Sequence, residues 1–244
     1  MSAASVGTVV RLDEQTWPEV PERPLVIVPL GSTEQHGPHL PFTVDALVAA
    51  AVAAGAAEAA DAVLAPAMPY GSSGEHQGFP GTLSIGGEAL AAVLVELVRS
   101  AGTWARSILF VSGHGGNAAT VSDAVMRMRG EGHDVAWLPC RPSVPPGVVP
   151  DAHAGRIETS LLLHLAPAAV RSHDDVDGYR GALADAMPAL RDGRLRQVSP
   201  SGVLGDPRGA SAQEGSALLA GMIADATARI QRWRVDGDGR LEAP

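Results

Sequence analysis

Short apolar runs alternate along the chain with longer stretches whose apolar residues recur at helical spacing. Pro24-Leu25-Val26-Ile27-Val28-Pro29-Leu30, closed by Gly31, predicts a buried first strand over 24–31. The alanine-rich stretch 45–60 predicts a helix. Ala62–Tyr70 predicts a second strand, and its prolines, Pro66 and Pro69, predict an edge position or an early end. Residues 87–104 read as a helix with Leu90, Val93, Leu94 and Leu97 on one face. A third strand over Ser107–Gly113, a helix over 118–130 and a fourth strand over Asp134–Cys140 follow. This alternation implies an α/β fold with helices layered on a mostly parallel sheet. Beyond Cys140 the pattern loosens. Residues 141–150 hold four prolines and read as a loop. A helix over 153–165 ends at Pro167, a short one is expected near 179–191, and 199–209 is rich in turn residues. A last helix, roughly 210–232, carries Leu218, Leu219, Met222 and Ile223 on one face. One domain over 1–244 is the simplest parse, with frayed tails at about 1–10 and 235–244.

Composition narrows the function classes. The 244 residues are 45% hydrophobic, enough for one sizeable core. The net charge is −9 with no basic block, which argues against nucleic acid and anionic membrane as partners. The sole cysteine, Cys140, leaves no internal disulfide and no cysteine-based zinc site, and fits a reducing compartment. The first residues lack a signal-peptide pattern. The longest apolar run, around Ala46–Ala60, is mostly alanine and is broken by Glu58, so no membrane span is expected. A cytoplasmic protein is the expectation.

The chemistry gathers just past the strand ends, where open α/β sheets bind ligands. After the first strand comes Gly31-Ser32-Thr33-Glu34-Gln35-His36-Gly37-Pro38-His39. Glu34 and His36, two apart, point the same way in an extended chain, and Asp45 opens the next helix. Carboxylate, imidazole and carboxylate are ligand types for a divalent metal. His114 ends the third strand within Ser-Gly-His-Gly-Gly-Asn. That glycine loop also reads as an anion cradle, which would make a metal-free nucleotide-binding module, but it lacks the P-loop lysine and the GxGxxG spacing. Glu158 shares a helix face with Leu161, Leu162 and Leu165. A core-facing carboxylate must be paired or ligate a metal; the alternative is a first-turn acid at a helix N-terminus. His153 is a candidate proton shuttle or a helix cap. Glu75 and His76, in the glycine-rich loop 71–82, contact substrate, cover the site or are solvated. His39 reads as a supporting residue, and His133, His164 and His173 as ordinary histidines. Arg156 is a substrate-carboxylate ligand or a solvated charge.

Four motifs in order carry a family resemblance. Gly-Ser-x-Glu-Gln-His-Gly-Pro-His-Leu-Pro with Asp45, Phe-Pro-Gly-Thr at 79–82, Gly-His-Gly-Gly-Asn at 113–117 and His-Ala-Gly-x-x-Glu-Thr-Ser at 153–160 resemble the creatininase family of amidohydrolases over about residues 24–225. Gly202–Pro207 is similar to that family as well. The resemblance implies a three-layer α/β/α fold, two divalent metal ions per subunit (Zn, Mn or Fe(II)) and a homohexamer. It implies that Glu34 and His114 hold one metal, His36 and Glu158 the other, that Asp45 bridges, and that His153 is the acid/base residue. Backbone N–H groups near Gly115, Gly116 and Asn117 would support an oxyanion. The chain departs from creatininase proper at Gly116, where that enzyme has a metal-binding acid. That weighs against creatinine as substrate and gives the second acid's role to Glu158. Arg156 stands where relatives often carry an acid. Residues 70–82 look most like the branch serving mycofactocin maturation, which implies a peptidase releasing the C-terminal Val-Tyr dipeptide of the modified precursor peptide. Hydrolysis of a small cyclic amide or a formamide, as in other branches, is the alternative.

Overall fold

The structure, a computed structural model, describes residues 9–142 and 151–244. The expected proline-rich loop therefore falls, except for its first two residues, outside the described residues. Five strands form one sheet: β1 (Val10–Arg11), β2 (Leu25–Leu30), β3 (Val63–Leu64), β4 (Ser107–Ser112) and β5 (Val135–Pro139), in the order β1-β3-β2-β4-β5. Every neighbouring pair is parallel. Seven α-helices accompany the described strands: α1 (Val44–Ala60), α2 (Gly86–Ala101), α3 (Ala118–Gly130), α4 (Arg156–Leu165), α5 (Leu183–Arg191), α6 (Leu195–Val198) and α7 (Ala212–Arg232).

Strand alternation sorts the core into two halves. Leu25, Ile27, Leu109, Val111, Ala136 and Leu138 pack against α1, α4 and α7. Val26, Val28, Leu30, Ile108, Phe110, Val135 and Trp137 pack against α2 and α3. With both faces covered, β2 and β4 read as unbroken apolar runs rather than alternating ones. The three-layer α/β/α architecture is thus the expected one. Leu109 sits fully buried in the central β4. Leu109→Ala should cost about 2–5 kcal/mol, read as a lowered urea midpoint at unchanged slope.

Three expectations need correction. First, of the two readings of the second strand the early end holds, since β3 stops at Leu64 before Pro66, but the edge position does not, since β3 lies between β1 and β2; the edge belongs to β1, a two-residue strand that the sequence pattern did not predict. Second, α2 is rotated from the expected face. It buries Leu90, Leu94, Val95 and Val98, while Val93 and Leu97 are 39% and 37% exposed. Third, the C-terminal tail is not frayed. The Trp137 N–H donates to the Gly239 carbonyl, the Leu241 N–H donates to the Trp137 carbonyl, and Leu241 is fully buried. β5 is an outer strand with unpaired backbone groups, and the tail occupies them. At the other end, Val10, expected in the N-terminal tail, pairs with Val63. Among the described residues no helix is long and apolar enough to cross a membrane.

Candidate metal centre

The ends of β2 and β4 close on the first turn of α1. A side chain on Gly31 would strike the Ala46 backbone, and one on Gly113 would strike the Asp45 carbonyl. Both positions therefore need glycine, and the close approach sets Asp45 between the segment after β2 and the segment after β4. Glu34 and His36 arrive from the first, His114 from the second. Glu158 comes from the first turn of α4. His153 precedes that helix, its backbone paired with Leu204. Glu34, His36, Asp45, His114 and His153 are all buried, and Glu158 is half-buried.

Asp45 presents one carboxylate oxygen to each side. Its Oδ1 lies 3.1 Å from His36 Nε2, and its Oδ2 lies 3.4 Å from His114 Nδ1. His114 Nδ1 is also 3.1 Å from Glu34 Oε2, and His36 Nε2 is 3.9 Å from Glu158 Oε2. Glu34, Asp45 and His114 form one compact group of ligand atoms. His36, His153 and Glu158 form another, and Glu34, His76 and His153 a third.

Hydrogen bonds on the far side of each ring fix which nitrogen faces the cluster. His36 Nδ1–H donates to the Glu34 carbonyl at 3.1 Å, His114 Nε2–H donates to the Ser72 carbonyl at 3.1 Å, and His153 Nε2–H donates to the Gln35 carbonyl at 2.7 Å. In the neutral rings the other nitrogen then carries a lone pair pointed at carboxylates. Lone pairs facing carboxylate oxygens at such distances repel unless a cation lies between them. Protons can serve. Burial works against a charged His36, yet the Asp45 carboxylate overcomes it and raises the imidazole to about 10. His114 is raised well above its usual range, Glu34 overcoming the effect of burial. Burial would raise the Glu34 carboxyl, but the imidazoles, His114 first, hold it well below the usual carboxylate range. Burial, then the neighbouring Glu34, pushes Asp45 up to about 6. Burial, then His36, lowers His153 to about 4, so it stays a neutral base. Both Glu34 oxygens and Asp45 Oδ2 are buried with no hydrogen-bond donor. Orphaned carboxylate oxygens opposite imidazole lone pairs fit a divalent cation better than they fit an unligated core.

His76 differs from the other histidines. The Gln35 side-chain amide donates to His76 Nδ1 at 2.9 Å, so the ring's proton is on Nε2, which lies 3.2 Å from Glu34 Oε1. Burial, then His153, lowers this imidazole to about 2. His76 is a buried imidazole held by Gln35, and its Nε2 faces Glu34 Oε1 without a hydrogen bond. The sequence placed it in a mobile-looking loop; the backbone there makes a 3-10 turn at Gly74–His76 that turns the ring inward. Glu75, next to it, sets its Oε1 3.4 Å from His114 Nε2. A side chain on Gly116 would run into His114 Nε2 and Glu75 Oε1. Gly116→Ala should displace His114 and lower metal affinity by roughly 10–100-fold, as read by chelator competition. Unchanged affinity would show that Gly116 leaves no needed space.

Glu75, His76, Gly115 and Gly116 all line a cavity of about 880 Å³ that opens on Asp45, His114, His153 and Glu158. Its other side is α5, which the sequence expected only as a short helix of no assigned role. Gln35 was also missed as a functional residue: its side-chain amide holds His76 and its carbonyl holds His153. His39 is fully buried, with its Nε2 2.9 Å from Thr159 Oγ1, and so supports α4 rather than the cluster. Arg156 pairs with Glu214 at 2.8 Å and does not line the cavity.

Residues 13–230 match the family model described as creatinine amidohydrolase. The mycofactocin precursor peptide peptidase of Mycolicibacterium smegmatis is 50% identical over 224 residues, 89% of each chain. The creatinine amidohydrolase of Pseudomonas putida is 28% identical over 86% of this chain and 92% of its own. A solved manganese form of creatininase superposes with a TM-score of 0.72 at 26% identity, over 92% of this chain and 99% of that one.

Proposed function

The chain belongs to the creatininase family, and from that premise we propose that it is a metal-dependent peptidase acting on the mycofactocin precursor peptide. The finer reading is release of the C-terminal Val-Tyr dipeptide from the modified peptide. The observation that carries the hydrolytic part is His114 Nδ1 facing the unpartnered oxygens of Glu34 and Asp45 in a buried cluster. Glu34, His114 and Asp45 would hold one divalent ion, and His36, Glu158 and Asp45 a second. Such ions, when bound, supply a Lewis acid and make water nucleophilic at neutral pH. Zn, Mn and Fe(II) all suit this oxygen and imidazole set. His153, a neutral base with Nδ1 turned to the cluster, takes a proton there and returns it to the leaving amine. The N–H groups of Gly115 and Gly116, on the cavity wall, support the developing oxyanion.

The substrate half rests on similarity: 50% identity to a mycofactocin precursor peptide peptidase against 28% to a creatinine amidohydrolase. The small-amide reading is correspondingly weaker. A nucleotide-binding module is disfavoured by charge, because the glycine loop after β4 opens on Asp45, Glu75 and Glu158, which repel phosphate. Incubating the metal-loaded protein with the modified precursor peptide and, separately, with creatinine decides among them. Mass spectrometry should find the peptide shortened by two residues and creatinine unchanged. Elemental analysis should find about two equivalents of divalent metal per chain. Creatinine turnover without peptide cleavage, or a metal-free protein that binds nucleotide, would overturn the proposal.

The family resemblance also points to a homo-oligomer, up to a hexamer, and the surface supports one. Tyr70, Ile85, Val93, Leu97 and Trp104 are exposed apolar residues around one groove, the kind of patch that marks a protein interface. Leu97→Asp should lower the mass found by light scattering in solution. An unaltered mass would place the contact elsewhere. The single cysteine fits a reducing, cytoplasmic setting.

A further inference from the structure

The cavity beside the candidate metal centre has two unlike walls. One carries the carboxylates and imidazoles. The other is α5, which contributes Leu183, Met187 and Leu190. These residues are four and three apart and make one stripe along the helix. Leu183 is 44% exposed, and Met187 and Leu190 are half-buried. The only buried residue of α5 is Ala186. The helix rests on α6 and on the 3-10 turn that carries Glu75 and His76. Its apolar stripe is thus turned to the cavity rather than to a core, where water would otherwise cover it. Across from it, Gly115, Gly116, Ala118 and Ala119 leave space. The charged residues on the α5 side, Arg191 and Asp192, follow the stripe rather than interrupt it.

We propose that the α5 stripe is the specificity wall of the peptidase, seating the apolar side chains of the two C-terminal residues of the substrate; this rests on the peptidase reading above. At about 880 Å³ the cavity lies within the roughly 300–1,000 Å³ of small-ligand sites. It takes the short end of a cut peptide and leaves the long N-terminal part outside. A bulky apolar pair such as Val-Tyr covers Leu183, Met187 and Leu190, and a pair such as Gly-Gly leaves them bare. Met187 is unbranched and adapts to an irregular ring or branch.

The test compares wild type with Met187→Ala and Met187→Asp, each first checked for metal content and melting temperature equal to wild type. Cleavage kinetics on precursor peptides ending in Val-Tyr or Gly-Gly are measured alongside calorimetric binding of the dipeptides Val-Tyr and Gly-Gly. Wild type should prefer Val-Tyr in both assays. Met187→Asp should raise KM for the Val-Tyr peptide by roughly 10–200-fold with little change in kcat, and should abolish the dipeptide preference. Met187→Ala should do the same more mildly. Equal binding of both dipeptides by wild type, or variants with unaltered KM and preference, would overturn the α5 proposal. Preferential Val-Tyr binding without cleavage of any peptide would leave the α5 wall standing and remove the peptidase reading instead.

Discussion

Asp45→Ala is expected to yield a folded protein without tightly held metal and without measurable amide hydrolysis. Asp45 is the residue whose two oxygens face opposite halves of the cluster, Oδ1 toward His36 and Oδ2 toward His114. Its loss removes a ligand from both halves, so the effect should exceed the roughly 10–100-fold that loss of a supporting residue costs. The fold should survive. Burial and Glu34 already press this carboxyl toward its neutral form, so its removal relieves a buried like-charge contact rather than breaking a core. Elemental analysis, peptide cleavage and a melting curve on the same preparation check all three statements. Retention of two metal equivalents with full activity would exclude Asp45 as a bridge.

His153→Ala should behave differently: metal retained, turnover reduced by roughly 10²–10⁴-fold. The ring is fastened from behind by Gln35 and lies against His36 and His76, with ring centroids 4.3 and 4.4 Å away. It faces the cavity, so a substrate amine can reach it. Loss of one metal equivalent would make His153 a ligand instead of a proton carrier. Its place in two of the compact ligand groups makes that outcome the informative alternative.

Much of this site could be read in the chain because its residues sit at predictable exits. Glu34 and His36 follow β2, His114 follows β4, and Asp45 and Glu158 open α1 and α4. The strands themselves were legible because both sheet faces are covered, which leaves unbroken apolar runs. The orientation of α2 was not. Val93 and Leu97 fit a helical period as well as Val95 and Val98 do, and periodicity cannot say which stripe meets the sheet. His76 kept more than one reading for another reason: a glycine-rich loop can be solvated or functional, and only the turn at Gly74–His76 shows the ring sent inward. The role of α5 was invisible because three apolar residues on a short helix signal burial in a core, not the wall of a cavity. The buried C-terminal tail was missed because its partner, the outer edge of β5, is defined only once the strand order is known.

That tail has a practical consequence. Leu241 is fully buried, and the Gly239–Leu241 stretch supplies backbone partners to Trp137, whose indole N–H also donates to the Asp238 carbonyl at 2.9 Å. Beyond the buried leucine the Glu242 N–H donates to the Arg234 carbonyl, which fastens the same stretch to the end of α7. Expression plasmids that trim the chain before Arg240, or fuse a purification handle directly to Leu241, would uncover the outer strand edge and invite self-association through it. A chain left whole through Glu242 keeps that fastening.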